Sequence, residues 1–188
     1  GGATPPETPV TPPRTPRTAV VVIPPEAVAE PIKRIRRIHD RQVRRWMPHI
    51  TLLFPFRPEE SFPEELPRLI EATSSVRPFT ATLAEFRFFE HGGERATLWL
   101  APEPADPLRR LQAALQERFS DCDDVSRFPQ GFTPHLSVGQ VRGRAARDAL
   151  LARLRSDWVP LEFPVREAAL IARPPDGPFR VRHRLPLG

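Results

Sequence analysis

The spacing of apolar residues changes along the chain, and each change predicts an element. Ala19-Val20-Val21-Val22-Ile23 is a continuous run stopped by Pro24-Pro25, the pattern of a strand buried on both faces. From residue 26 to about 46, Val28, Ile32, Ile35, Ile38, Val43 and Trp46 fall near helical spacing, and Pro31 fits only if the regular helix begins close to it. The other side of that helix carries Lys33, Arg34, Arg36, Arg37, Arg41, Arg44 and Arg45, which reads as a solvated outer face, with a phosphate-backbone track as the alternative. Residues 49–54 read as a strand and 59–74 as a helix. Strands at 79–89 and 95–101 are joined by the hairpin turn His91-Gly92-Gly93-Glu94. Leu108, Leu111, Leu115 and Phe119 line one side of a helix over 106–119, opened by Asp-Pro. A strand near 135–138, a helix over 145–154 and strands near 161–171 and 179–185 complete the chain. Strands interleaved with helices, including two hairpins, predict an α+β architecture with antiparallel or mixed sheets.

At 188 residues the chain holds one domain, or two small lobes sharing a core. The single cysteine, Cys122, allows no internal bridge and excludes a cysteine-rich zinc module, so no metal is assigned. No apolar run reaches the ~18 residues of a membrane span, and residues 1–17 lack the apolar stretch of a secretory signal, so a cytoplasmic protein is expected. Residues 1–18, with Thr4-Pro5-Pro6, Thr8-Pro9, Thr11-Pro12-Pro13 and Thr15-Pro16, predict an extended mobile tail ahead of a domain over 19–188. Gly1-Gly2 without an initiator Met reads as a cloning remnant, which leaves the native start open. The 28 basic residues outnumber the 23 acidic ones, and only Lys33 among them is a lysine. Guanidinium suits forked contacts with phosphate, so a polyanionic partner is plausible, although a bias in composition produces the same preference.

Two segments match across the chain: Pro48-His49-Ile50-Thr51-Leu52 and Pro134-His135-Leu136-Ser137-Val138. On a strand, side chains two apart share a face, so His49 projects with Thr51 and His135 with Ser137, while the apolar residues between them enter a core. Brought side by side, the polar faces form one cleft with two imidazoles and two hydroxyls. Such a cleft suits phosphodiester cleavage. One imidazole serves as base while its twin, held protonated by the phosphate, serves as acid, and the hydroxyls donate to phosphoryl oxygens.

With this pair of motifs the chain resembles the two-histidine (2H) phosphoesterases, the LigT-like or 2'-5' RNA ligase-like proteins, over residues 18–187. The resemblance implies a bilobal α+β fold, two related lobes with antiparallel sheets and outer helices around a central groove. It implies chemistry without metal or cofactor, with His49 and His135 as the acid/base pair and Thr51 and Ser137 as phosphate-binding hydroxyls. The expected activity is metal-independent hydrolysis of a phosphodiester or 2',3'-cyclic phosphate on an RNA end, cyclic nucleotide or short oligonucleotide. Reverse 2'-5' ligation ranks below hydrolysis. The alternative is a 2H domain that binds RNA or a nucleotide without turnover. A monomer is expected.

Where family members often carry an arginine after the second motif's glycine, this chain has Gln140, and Arg142 is the nearby residue able to supply that charge. Phe56 and Phe179 are candidate platforms for a nucleobase. His183 reads as a structural residue on a strand face, His91 as a turn residue, and Cys122, among Asp121, Asp123 and Asp124, as a poor nucleophile.

Overall fold

The computed structural model of the chain describes residues 1–4 and 11–188. In chain order the first half contains β1 (Thr18–Val22), α1 (Glu26–His39), β2 (Ile50–Leu53), α2 (Phe62–Ser74), β3 (Phe79–Glu90) and β4 (Arg95–Glu103). The second half contains α3 (Asp106–Arg118), β5 (Leu136–Arg142), α4 (Arg144–Asp157), β6 (Leu161–Val165), β7 (Glu167–Ala172) and β8 (Arg180–Pro186). All pairings are antiparallel, in two four-stranded sheets of order β2-β1-β7-β8 and β5-β4-β3-β6. The fold is α+β, and the two sheets have the same plan. In each, the strand that follows a histidine motif, β2 or β5, lies at one edge beside an inner strand, β1 or β4, that precedes it in the chain.

The helices tie the two halves together. α1 packs against β5 of the second sheet, and α3 packs against β2 of the first. Contact between α1 and β5 is close enough to require glycine at 139, where a Cβ would sit 2.6 Å from His39 Cβ and 2.9 Å from the His39 carbonyl oxygen. The all-buried β1 bears out the reading of its continuous apolar run. Its residues alternate between two interiors: Val20 and Val22 enter the main core, with Ile32, Leu69, Leu98 and Leu111 among its members. Ala19 and Val21 face a smaller cluster with Ala169, Ile171 and Phe179, on which Trp46, Met47 and Phe54 pack.

Three predicted boundaries are corrected. The first helix ends at His39 rather than near Trp46. Asp40 is the reason: its carboxylate accepts from Arg36 Nε at 2.9 Å and from the Gln42 backbone N–H at 2.9 Å, a local turn that competes with another helical turn. Arg41, Arg44 and Arg45 therefore stand on the loop that follows. The expected strand over 161–171 is two strands in different sheets, because the chain leaves β6 for β7 at Arg166. The second motif strand runs on to Arg142. The expected tail is tethered where it can be described: Thr15 and Phe56 exchange backbone hydrogen bonds at 2.7 and 3.3 Å, and Arg14 meets Asp124 at 2.6 Å. Residues 5–10 lie outside the described residues. Among the described residues no helix is long and apolar enough to cross a membrane.

Candidate active site

Both motifs fold in the same way. Each histidine stands immediately before its strand, and its ring Nδ1–H donates to the backbone carbonyl two residues earlier: His49 to Met47 at 2.8 Å and His135 to Thr133 at 2.7 Å. A carbonyl can only accept, so this contact holds the proton on Nδ1 and leaves Nε2 as the free, basic nitrogen. Each hydroxyl residue is followed by a break in register. Val21 pairs with Thr51 and Val20 with Leu53, which leaves Leu52 as an extra residue; Trp99 pairs with Ser137 and Leu98 with Gly139, which leaves Val138 as its counterpart. A bulge at this place lets two consecutive residues after the hydroxyl be buried, as Leu52-Leu53 and Val138-Gly139 are, while the hydroxyl stays half-exposed. Neither Thr51 Oγ1 nor Ser137 Oγ hydrogen-bonds another described residue, so both can donate to a ligand.

The two edge strands β2 and β5 approach within 8 Å between Cα atoms, and the His135 charge is felt at His49. Burial pushes the His49 pKa from its ordinary 6.5 down to about 4; the Met47 carbonyl opposes this, while the Arg36 guanidinium and His135 push it further down. His135 is lowered by burial, against the pull of the Thr133 carbonyl. Both rings are therefore neutral near pH 7.

Aromatic rings hold the imidazoles in place. Trp46 stacks on His49 at 4.3 Å between centroids and 17° between planes. His135 stands edge-on to Phe89 at 5.0 Å and 88°, and near Trp99 at 5.8 Å. The sequence reading placed Trp46 on a helix face and missed this contact. A partial signal was available: Trp46 stands three residues before His49 as Phe132 does before His135, although Phe132 enters the main core and Phe89 and Trp99 are the rings that meet His135.

A chain of polar contacts, buried at its centre, links α1 and the loop after it to β5. Gln140 on β5 donates from Nε2 to Asp40 Oδ1 at 3.1 Å and accepts from the Arg41 backbone N–H at 2.9 Å. Asp40 pairs with Arg36 at 2.9 Å, both side chains 3% exposed, and Arg36 Nη2 donates to the Trp46 carbonyl at 2.8 Å. Gln140, expected to face substrate, thus has both ends of its amide engaged in fixing Asp40 and, through Arg36, the tryptophan against His49.

The remaining candidates are rearranged. Phe56 is fully buried among Phe62 and Phe119 and cannot offer a face to a base. Its neighbour Phe54 packs edge-on against Trp46 at 5.1 Å instead. Phe179 is also buried, tilted 35° against Trp46 at 3.9 Å, so it supports a ring rather than presenting one. Of the arginines expected along the first helix, Arg36 is buried with Asp40 and Arg37 pairs with Glu30 at 3.0 Å, leaving no open track there. Arg142 is exposed and lines a groove with Arg41 and Arg95. His183 is exposed and packs edge-on near Phe62. His91 follows β3 at the hairpin turn and meets Thr97 Oγ1 at 2.8 Å. Burial pushes the Cys122 thiol up to about 11, with the charge of Asp121 adding to it, which makes it a poor nucleophile.

Two antiparallel sheets of one plan, meeting at edge strands that each follow a His-x-hydroxyl motif, define a two-histidine phosphoesterase fold. The chain belongs to the 2'-5' RNA ligase superfamily, whose family model matches residues 24–177. Among solved structures it is similar to TT0787 of Thermus thermophilus, with 25% identity, a TM-score of 0.61 and coverage of 90% of this chain and 97% of that one. It is also similar in fold to E. coli LigT complexed with 3'-AMP, at 19% identity and a TM-score of 0.55, covering 93% of this chain and 98% of that one. No curated protein matches the sequence.

Proposed function

We propose that the protein is a metal-independent phosphodiesterase that opens 2',3'-cyclic phosphates or cleaves phosphodiesters at RNA ends and in short oligonucleotides. The observation that carries this reading is the matched pair of imidazoles, each with Nδ1–H tied to the carbonyl two residues back, Nε2 left free, and a hydroxyl two residues on that has no partner among the described residues. Arg36 and His135 work against a proton on His49 and the Asp40 carboxylate works for one, whereas His135 is shifted by burial and the Thr133 carbonyl with no cation among the causes. This supports His49 as the base and His135 as the group that takes up a proton when the phosphate binds.

His49 Nε2 removes a proton from water as the water oxygen bonds to phosphorus. The bond from phosphorus to the leaving 2' or 3' oxygen breaks, and His135 Nε2–H gives that oxygen its proton. Thr51 and Ser137 donate to the non-bridging oxygens as their charge grows. Beside His135 a pocket of about 360 Å³ is lined by Phe89, Val125 and Phe128, the last 56% exposed. It offers a nucleobase the apolar platform that Phe56 and Phe179 do not.

The test is a panel of 2',3'-cyclic nucleotides and of 2'-5' and 3'-5' oligonucleotides, assayed in EDTA. Hydrolysis of one class that survives EDTA and disappears in His49→Ala and His135→Ala is expected. Turnover that EDTA abolishes and added metal restores would overturn the mechanism, and RNA binding without any product would make the protein a binding domain.

A further inference from the structure

Beyond Ser137 the same sheet face continues into a groove of about 690 Å³ lined by Arg41, His91, Arg95, Thr97, Gln140 and Arg142. The bulge decides which residues face it. Thr97 and Trp99 are two apart on β4 and share a face; their partners are Gln140 and Ser137, so Gln140, and Arg142 beyond it, return to the face of the catalytic hydroxyl. An unbroken strand would have turned Gln140 away. The bulge absorbs one residue, so from Ser137 to Arg142 the strand covers only the four steps from Trp99 to Arg95 on its partner, about 13 Å, which still carries it past a phosphate held at Ser137.

The groove's charge is uncompensated. No carboxylate lines it, and Arg41, Arg95 and Arg142 form no ion pair among the described residues, whereas neighbouring Arg87 and Arg147 pair with Glu85 and Glu90 at 3.1 and 2.8 Å. Arg95 and Arg142 are direct cross-strand partners. Like charges opposite one another destabilise a sheet unless an anion sits between them. The Arg41 backbone is fixed at the groove's rim by its N–H, which donates to Gln140 Oε1 at 2.9 Å. Three guanidiniums from three elements thus converge where nothing in the protein neutralises them.

We propose that this groove is a second anion site, which takes the phosphate on the 5' side of the nucleoside whose phosphate is being cleaved. It rests on the phosphodiesterase reading and narrows it to substrates with at least two phosphates. The second phosphate comes either from an internucleotide linkage or from the 5'-phosphate of a single nucleotide.

Three probes distinguish these sources: a 2',3'-cyclic nucleoside monophosphate, the same molecule bearing a 5'-phosphate, and a dinucleotide ending in the cyclic phosphate. At low salt the KM of the preferred two-phosphate probe falls at least tenfold below that of the cyclic mononucleotide, and in the Arg95→Gln/Arg142→Gln double variant the ratio returns towards one. A gain for both two-phosphate probes assigns the site to any 5'-phosphate, and a gain for the dinucleotide alone assigns it to an RNA backbone. Equal KM for all three, or a ratio the double variant leaves intact, overturns the proposal. If no probe turns over, the proposed reaction fails, and calorimetric affinities of the same probes still read the groove: a tenfold preference lost in the double variant upholds it, and equal affinities sink it.

Discussion

In the proposed reaction, loss of either imidazole removes one of two proton-transfer partners, so His49→Ala and His135→Ala are each expected to lower kcat by about 10² to 10⁴ with the circular dichroism spectrum unchanged. Thr51→Ala and Ser137→Ala remove one hydrogen bond to a charged oxygen and cost about 10- to 100-fold. His49 also links stability to pH. Its folded pKa lies below its ordinary value, so the unfolded chain binds the extra proton; the stability is fully present above about 6.5 and is lost as pH falls towards about 4. The shift corresponds to about 3 kcal/mol at most. Urea unfolding at pH 7 and pH 4.5 measures it, and His49→Ala is expected to flatten the difference. The histidine pair was legible in the sequence because a strand's two-residue period translates directly into a shared face. Phe56 and Phe179 were misread because an aromatic beside a strand end carries no mark of the layer it enters; the tether Thr15–Phe56 and the ring of Trp46, both distant or off the strand, made that choice.

The helix ends and bulges show the same division between local and distant causes. The periodicity of 106–119 became α3 nearly residue for residue, because its apolar stripe is a property of the segment alone. α1 stopped at His39 instead of continuing because Asp40 is claimed by Arg36 four residues away and by Gln140 a hundred residues away. No pattern within 26–46 contains that second partner. Asp40→Ala is expected to cost about 3–5 kcal/mol by leaving a buried guanidinium without its counter-charge, and Asp40→Asn less; denaturant midpoints measure both. Gly139→Ala is expected to cost about 1–3 kcal/mol through overpacking, since the added methyl meets backbone as well as the His39 side chain. Both substitutions loosen the seat of α1 on β5, so kcat is expected to fall in each even at temperatures where the protein stays folded.

Taken whole, the molecule has two sheets of one plan but two different kinds of strand order in the chain. β3, β4, β5 and β6 of the second sheet follow one another within residues 79–165. The first sheet joins the chain's beginning to its end, with Thr18 of β1 paired to Ala172 of β7. Alternation alone merged β6 and β7 into one strand, because nothing in the run of 161–171 tells which sheet each half joins. A ribosome delivers these strands in order, so β1 and β2 emerge first and then wait for the partner that completes their sheet. The second sheet closes its local pairings while they wait, since contacts near in sequence form at lower entropic cost. Nascent chains stalled once residue 165 has left the exit tunnel are therefore expected to protect β3 and β4 from protease while β1 remains cleavable; release of β7 and β8 should close that site. Equal protection of both sheets before β7 appears would show that the first sheet does not depend on its late strands.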